Sequence, residues 1–337
     1  MKKILISLSI IGAVAAVAIG ATTAFFSDTE TSTGNTFTAG SIDLKVDSVA
    51  HFNRMVCTLG TNPATYTWQP ETGFNPDSSH YPQPGTPCEG TWTETDLGAQ
   101  KFFNLVDLKP GDEGEDTLSL HVYDNDAWGK MTITGVTDTG NTCKEPEIGL
   151  TADADCIGKN PGDTELDGEL RENTKFSFWL DQGAIPGFQN RPQTPTADPQ
   201  EGDNIWQPAT EPFLSGAIPL GFNQATLCPT TGAPWWCANI RDGIIEIAPE
   251  EHKLWEALAA VRATSNCPIG TPVDGHTNYD VCHGLAVDGR LVGSATYYFG
   301  MAWQIPYTVG NEAQSDGFTG DLKFEVVQHR NNPGYGF

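Results

Sequence analysis

Hydrophobic and polar residues alternate along five stretches of this chain, the period of two expected of a strand with one face in a core and the other in water. Ile42, Leu44 and Val46 alternate with Asp43, Lys45 and Asp47. Leu118, Leu120 and Val122 alternate with Ser119, His121 and Tyr123, and Phe176, Phe178 and Leu180 line one side of a third run. The longest run carries Ala295, Tyr297, Phe299, Met301, Trp303 and Ile305, interleaved with Thr296, Tyr298, Gly300, Ala302 and Gln304. Leu322, Phe324 and Val326 oppose Lys323, Glu325 and Val327 near the end. Half-buried antiparallel strands of this kind pack face to face, so the pattern predicts an all-β sandwich.

One stretch reads as a helix. Pro249 suits a first turn, Glu250 and Glu251 favour the positive helix end, and Leu254, Ala257, Leu258 and Val261 form an apolar stripe ending near Thr264. Residues 108–112, LKPGD, predict a turn: Pro110 presets its own φ, Gly111 accepts a positive φ, and Asp112 can accept bonds from nearby amides. Residues 50–95 and 183–240, rich in Pro, Thr, Trp and Gly, predict long surface loops or appended hairpins. The expected organisation is a sandwich domain over 35–330 with insertions at about 50–95, 140–170 and 183–290, then a tail over 331–337. No internal repeat is evident.

The amino end has a different pattern. Lys2 and Lys3 precede an apolar run from Ile4 to Ala21, and Thr22 and Ala24 are the small residues a signal peptidase needs. Residues 1–24 are therefore expected to be an export signal cut between Ala24 and Phe25. The competing reading is an uncleaved anchor, because the run reaches the lower length limit for a membrane span. Cleavage exposes Phe25 and Phe26 at a new terminus, where termini ordinarily fray into water, so these rings are expected to be buried by something.

Composition narrows the class. Gly (36) and Pro (23) are numerous, and the formal net charge is −25. Nucleic acid is thereby an improbable partner, and an anionic membrane would repel the mature chain, so no stable membrane association is expected after cleavage. Cys57, Cys88, Cys143, Cys156, Cys228, Cys237, Cys267 and Cys282 form an even set behind an export signal, the combination expected of disulfides. Sequence does not fix their connectivity. Neighbour pairing (57 with 88, 143 with 156, 228 with 237, 267 with 282) is favoured because each pair brackets a Gly-, Pro- or Asn-rich stretch. No pair has the short gap of a zinc knuckle.

The motifs of catalysis are missing. The seven histidines, His51, His80, His121, His252, His276, His283 and His329, contain no HExxH pair, and there is no GxSxG elbow, phosphate loop or dinucleotide fingerprint. Catalytic, cofactor-binding and metal-ligating residues are accordingly assigned as none. Calcium is the one ion that the acidic loops leave open, at Asp112, Glu113, Glu115 and Asp116, at Asp124, Asn125 and Asp126, or at Asp153 with Asp155, although none matches the EF-hand spacing.

Four blocks carry a family resemblance: AFFSDTE at the cut site, NTFTAGSIDLKV (35–46), FFNLVDLKPGD (102–112) leading into LSLHVYDND (118–126), and NEAQSDGFTGDLKFEVVQ (311–328). They resemble the TasA/camelysin group of secreted fibre subunits processed by SipW-type signal peptidases, with archaeal bundling pilins as relatives. The resemblance implies a secreted, jelly-roll-like subunit that polymerises head to tail into biofilm-matrix or cell-surface fibres. A donor strand at Phe25, Phe26, Ser27, Asp28 and Thr29, within a segment over 25–34, would add to the next subunit. Implied partners are further copies of the chain, the signal peptidase and an accessory fibre subunit. Two other classes stay open: a monomeric adhesin or carbohydrate-binding protein using Trp68, Trp92, Trp206, Trp235 and Trp236, and a secreted metalloprotease, an activity ascribed to camelysin-type proteins.

Overall fold

The structure is a computed structural model. It describes residues 27–31, 42–61, 65–151, 153–189, 198–203, 205–207, 210–212, 214, 245–246, 250–265, 267, 281–330, 332, 334–335 and 337, with the backbone alone for 27–31 and 245–246. The strands are β1 (Ser27–Thr31), β2 (Asp43–Phe52), β3 (Met55–Leu59), β4 (Tyr66–Pro70), β5 (Trp92–Thr95), β6 (Glu113–Tyr123), β7 (Ala127–Thr139), β8 (Lys175–Leu180), β9 (Ile245–Glu246), β10 (Glu250–Lys253), β11 (Thr296–Gln304) and β12 (Gly317–Gln328). The helices are α1 (Leu170–Asn173) and α2 (Leu254–Thr264).

Two antiparallel sheets form the expected all-β sandwich. One has the order β1-β12-β7-β10, the other β4-β3-β2-β6-β11-β8-β9, with β5 added against β2. Among β1, β2, β6, β7, β8, β10, β11 and β12, each step along the chain crosses between sheets except β2 to β6, which pair side by side. The alternating residues meet in the middle: Leu44, Val46, Leu118, Leu120, Phe176, Phe178, Tyr297, Phe299 and Met301 from the larger sheet pack with Met131, Ile133, Leu322, Phe324 and Val326 from the smaller one. Phe176 reaches across to Phe318, with ring centroids 6.2 Å apart.

The long loop after β2 is an appended hairpin, β3 with β4, fastened by a disulfide from Cys57 to Cys88. Disulfides also join Cys143 to Cys156 and Cys267 to Cys282, each between sequence neighbours. Cys228 and Cys237 lie outside the described residues. The LKPGD turn forms as its chemistry dictates: Gly111 has φ +95°, and the Asp112 carboxylate accepts a bond from the Lys109 amide at 2.7 Å.

Two expectations need correction. Glu250 and Glu251 do not open a helix; they lie on β10, paired with Ile133 and Thr132 of β7, and α2 starts only at Leu254. The end of α2 at Thr264 is where the pattern put it. The segment read as an insertion over 183–290 also contributes β10 to the smaller sheet. A helix-start signal of two glutamates yields here to the open edge of β7, whose backbone groups need partners.

The outer face of the smaller sheet is partly covered. Trp128 of β7 packs edge-on to Trp255 of α2 at 6.1 Å, and Tyr335 stacks on Trp255 at 4.6 Å. The Trp128 indole N–H donates to the Asn332 carbonyl at 2.9 Å, which holds part of the tail against the sheet.

Candidate assembly edge and metal-donor groups

The segment expected to act as a donor begins outside the described residues at Phe25 and Phe26, as does the cut site at Ala24. Its continuation is β1, an edge strand on β12 of the same chain. The register pairs Ser27 with Val327, Asp28 with Val326, Thr29 with Glu325, Glu30 with Phe324 and Thr31 with Lys323. β12 can hold this strand because its inward side chains, Leu322, Phe324 and Val326, are anchored in the core while its backbone runs on along β7 from Gly317 to Gln328. Beyond Thr31 and before Ser27, the stretch read as donor lies outside the described residues.

The outward face of the sheet beside β1 carries a cluster of charged side chains. Glu325 faces outward and lies 3.5 Å from Lys130 and 2.7 Å from Lys323. Lys130 also meets Glu251 of β10 at 3.0 Å. These partly buried pairs tie β12, β7 and β10 together across the outward face of the sheet.

The described tryptophans proposed as sugar platforms are mostly under cover. Trp68 is 5% exposed and Trp206 4% exposed, and Trp92 packs against Phe102 at 5.0 Å. Trp68 stands opposite Cys57 in the β3–β4 hairpin and helps wall a pocket of about 220 Å³ with Tyr81 and Leu105. Trp235 and Trp236 lie outside the described residues.

The histidines are dispersed. His51 meets Glu71 at 2.8 Å, His121 meets Asp47 at 2.8 Å, His252 meets Glu250 at 2.9 Å and His329 meets Asp288 at 3.2 Å. His276 lies outside the described residues. Among the described residues, side chains able to share a metal converge at Asp153, Glu165 and Glu169, and at Glu147, Cys156 and Glu165, with ligand atoms in each set within 4.8 Å of one another. Neither set contains a histidine, and the Cys156 sulfur is bonded to Cys143. Burial and neighbouring carboxylates push Glu165 up to about 8 and Glu169 to about 7, and burial is the main cause that raises Asp316 to about 6.

The acidic loops singled out in sequence fare differently. Glu115 and Asp116 are adjacent on β6, so they point to opposite faces of the sheet and do not converge on one ion. Asp126 is engaged by the Arg290 guanidinium at 2.7 Å and the Gly293 amide at 2.9 Å. Asp155 accepts amide bonds from Leu166 and Asp167, both at 3.2 Å. Asp153 does join a cluster, but its companions come from residues 147, 165, 169 and 316. Sequence reading missed them because only the folded turns bring them together.

The class defined by this fold is an antiparallel β-sandwich with its amino-terminal strand added at a sheet edge. A family model described as camelysin metallo-endopeptidase, Peptidase_M73, matches residues 1–56. The match supports the TasA/camelysin family as the one this chain resembles, over a segment that contains the export-signal pattern, β1 and β2. No curated protein and no solved structure matches the chain. The metal in that family description calls for a fit. Catalytic zinc is ordinarily held by histidine, cysteine thiolate and carboxylate around an open position. The converging groups described here offer carboxylate oxygen and an oxidised sulfur, which do not fit such a centre.

Proposed function

We propose that the chain is an exported structural subunit that polymerises into extracellular biofilm-matrix or cell-surface fibres, by passing its mature amino-terminal segment to the sheet edge of the next copy. The observation that carries this reading is the edge pairing of β1 on β12. A strand at the extreme amino end, added last to a sheet already supported by β7, can be supplied equally by the same chain or by a neighbour, because the backbone bonds are the same. Supplied by a neighbour, the contact is heterologous and does not close, so it gives a filament. The family match over residues 1–56 supports the same reading, since it spans the leader and the donor together. A SipW-type signal peptidase would expose Phe25, and an accessory subunit would start or anchor the fibre.

The reading is non-enzymatic, although the matching family is described as a metallo-endopeptidase. It draws support from the absence of HExxH in the sequence and from the dispersal of the described histidines. Chelator-sensitive cleavage of casein by the purified chain, lost on mutation of a donor carboxylate, would overturn it.

Deletion of residues 25–33 should leave a folded monomer that forms no filaments by negative-stain electron microscopy. Paired cysteines at Thr29 and Glu325, which lie opposite each other in the register, separate the two modes of pairing. Fibres should give covalent multimers on a non-reducing gel, whereas monomer bands alone from assembled fibres would refute strand exchange.

A further inference from the structure

The segment between β7 and α1, together with the turn that enters β12, brings five carboxylates near one another. Glu165 is common to both converging sets: it lies with Asp153 and Glu169 in one and with Glu147 in the other. Asp316 joins them through the Glu169 amide, which donates to its Oδ2 at 2.7 Å. Three of the five are anchored by one oxygen. Asp153 Oδ1 accepts the Cys156 amide at 2.9 Å, Glu147 Oε2 accepts the Lys144 amide, and Asp316 Oδ2 accepts the Glu169 amide.

The opposite oxygens of those three are buried and have no partner: Glu147 Oε1, Asp153 Oδ2 and Asp316 Oδ1. Glu169 Oε2 and both oxygens of Glu165 are in the same state. Glu147 and Asp153 are wholly buried, and Glu165 is 4% exposed. Basic groups nearby in sequence are engaged elsewhere: the Lys144 ammonium donates to Thr142 Oγ1 at 2.9 Å, and the Arg171 guanidinium donates to Asp138 at 2.6 Å. Buried carboxylate oxygens without a donor are costly, and a bound cation is one way that such groups are satisfied.

We propose that Asp153, Glu165 and Glu169 hold a calcium ion, with Glu147 and Asp316 as flanking carboxylates and waters completing its shell. The donor chemistry selects the ion. All the donors are hard oxygens, calcium completes a shell of six to eight with waters beside such carboxylates, and the side chains come from turns that tolerate its irregular geometry. Magnesium demands a stricter octahedron and keeps its waters, and zinc prefers nitrogen and sulfur. The ion would clamp the segment around residues 141–169 to the entry of β12, where the Ser315 hydroxyl already donates to the Thr142 carbonyl at 3.3 Å. The Cys143–Cys156 disulfide closes the same segment. This site is independent of the fibre reading.

The test is calcium titration of the full chain after chelation, by calorimetry and by thermal unfolding. One site per chain is expected, with a dissociation constant of about 10⁻⁴ M or tighter, and the unfolding midpoint should rise in calcium. Glu165→Gln should weaken binding by at least about tenfold. In chelator the same variant should be about as stable as the parent, because the amide keeps the size of the side chain and removes a carboxyl crowded by other carboxylates, and the parent should be the more stable of the two in calcium. Asp153→Asn provides a second variant if Glu165→Gln does not fold. Absence of both heat and midpoint shift would overturn the proposal. So would several weak sites indifferent to both substitutions, or tighter binding of zinc than of calcium.

Discussion

Gly300 offers a sharp test of how the larger sheet is packed. It sits mid-strand in β11, directly opposite Trp179 of β8, and Trp179 is completely buried. A methyl group on Gly300 would lie 2.0 Å from Trp179 Cζ2 and 2.1 Å from Cε2, whereas carbon atoms in contact settle at about 3.5–4.0 Å. The indole would have to retreat by roughly 1.5 Å in an interior without room. Alanine is otherwise better than glycine within a strand by about 0.5–1 kcal/mol, so intrinsic preference and packing act with opposite signs. Overpacking costs about 1–3 kcal/mol, more when the overlap is deep, and the overlap here is deep. Gly300→Ala is therefore expected to lose about 2 kcal/mol net.

The origin of that loss is tested by a double-mutant cycle. In a Trp179→Leu background the methyl has space, and Gly300→Ala should become neutral or stabilising by up to about 1 kcal/mol. Guanidinium unfolding followed by far-ultraviolet circular dichroism suits the cycle, because loss of a tryptophan does not distort that signal. If Gly300→Ala costs the same in both backgrounds, or stabilises the parent, the close approach of indole and backbone is not what keeps glycine at this position.

Other outcomes follow from the same packing. Gly114 faces Trp303 across β6 and β11, and a methyl on it would lie 2.5 Å from the indole nitrogen, so Gly114→Ala should also destabilise, and a neutral denaturation midpoint would contradict this. Replacing Cys57 and Cys88 by serine reopens a loop with a sequence separation of 31; about 2–4 kcal/mol should be lost in denaturant titration, and a loss under about 0.5 kcal/mol would show the bridge to be dispensable. Burial pushes Glu115 and Asp116 well above the usual carboxylate range, and burial with Asp181 raises Glu211. A carboxyl raised by folding contributes stability that is complete below its unfolded pKa and is lost as pH rises toward its folded value. In chelator the thermal midpoint should thus fall as pH rises above the ordinary carboxylate range of about 4, less steeply in Glu115→Gln; an equal or steeper fall in that variant would remove Glu115 from the account.

Strands with a large apolar side chain at every second, core-facing position were legible in sequence, as β2, β8, β11 and the inner halves of β6 and β12 demonstrate, although the other face of β8 and of most of β11 is buried too. β7 was not, because Trp128 and Met131 are both buried, one outward under Trp255 and the other in the core. With the large Trp128 outward and Gly129 at a core-facing position, the period of two is broken at the start of β7. The start of β10 was hidden by a local helix signal that the edge of β7 overrides. For the metal donors, Asp153 was visible as part of an acidic pair, but its real companions are set by turns and by a contact between residues 169 and 316. Local composition carries no record of such a contact. The neighbour pairing of Cys57, Cys143 and Cys267 was legible because each bridge closes a local loop.

β1 occupies the edge of its own sheet, and under the fibre reading this has a kinetic consequence. A tethered strand competes with incoming strands at an effective concentration of about millimolar order. The isolated subunit is then satisfied without a neighbour, and growth must proceed by exchange rather than by simple addition. Assembly of this type begins after a lag, and preformed fibres, one end of which keeps an edge open, shorten the lag. The folded subunit can therefore remain soluble at high concentration and polymerise where a seed is supplied, so the place of fibre growth is set by the seed rather than by the amount of protein.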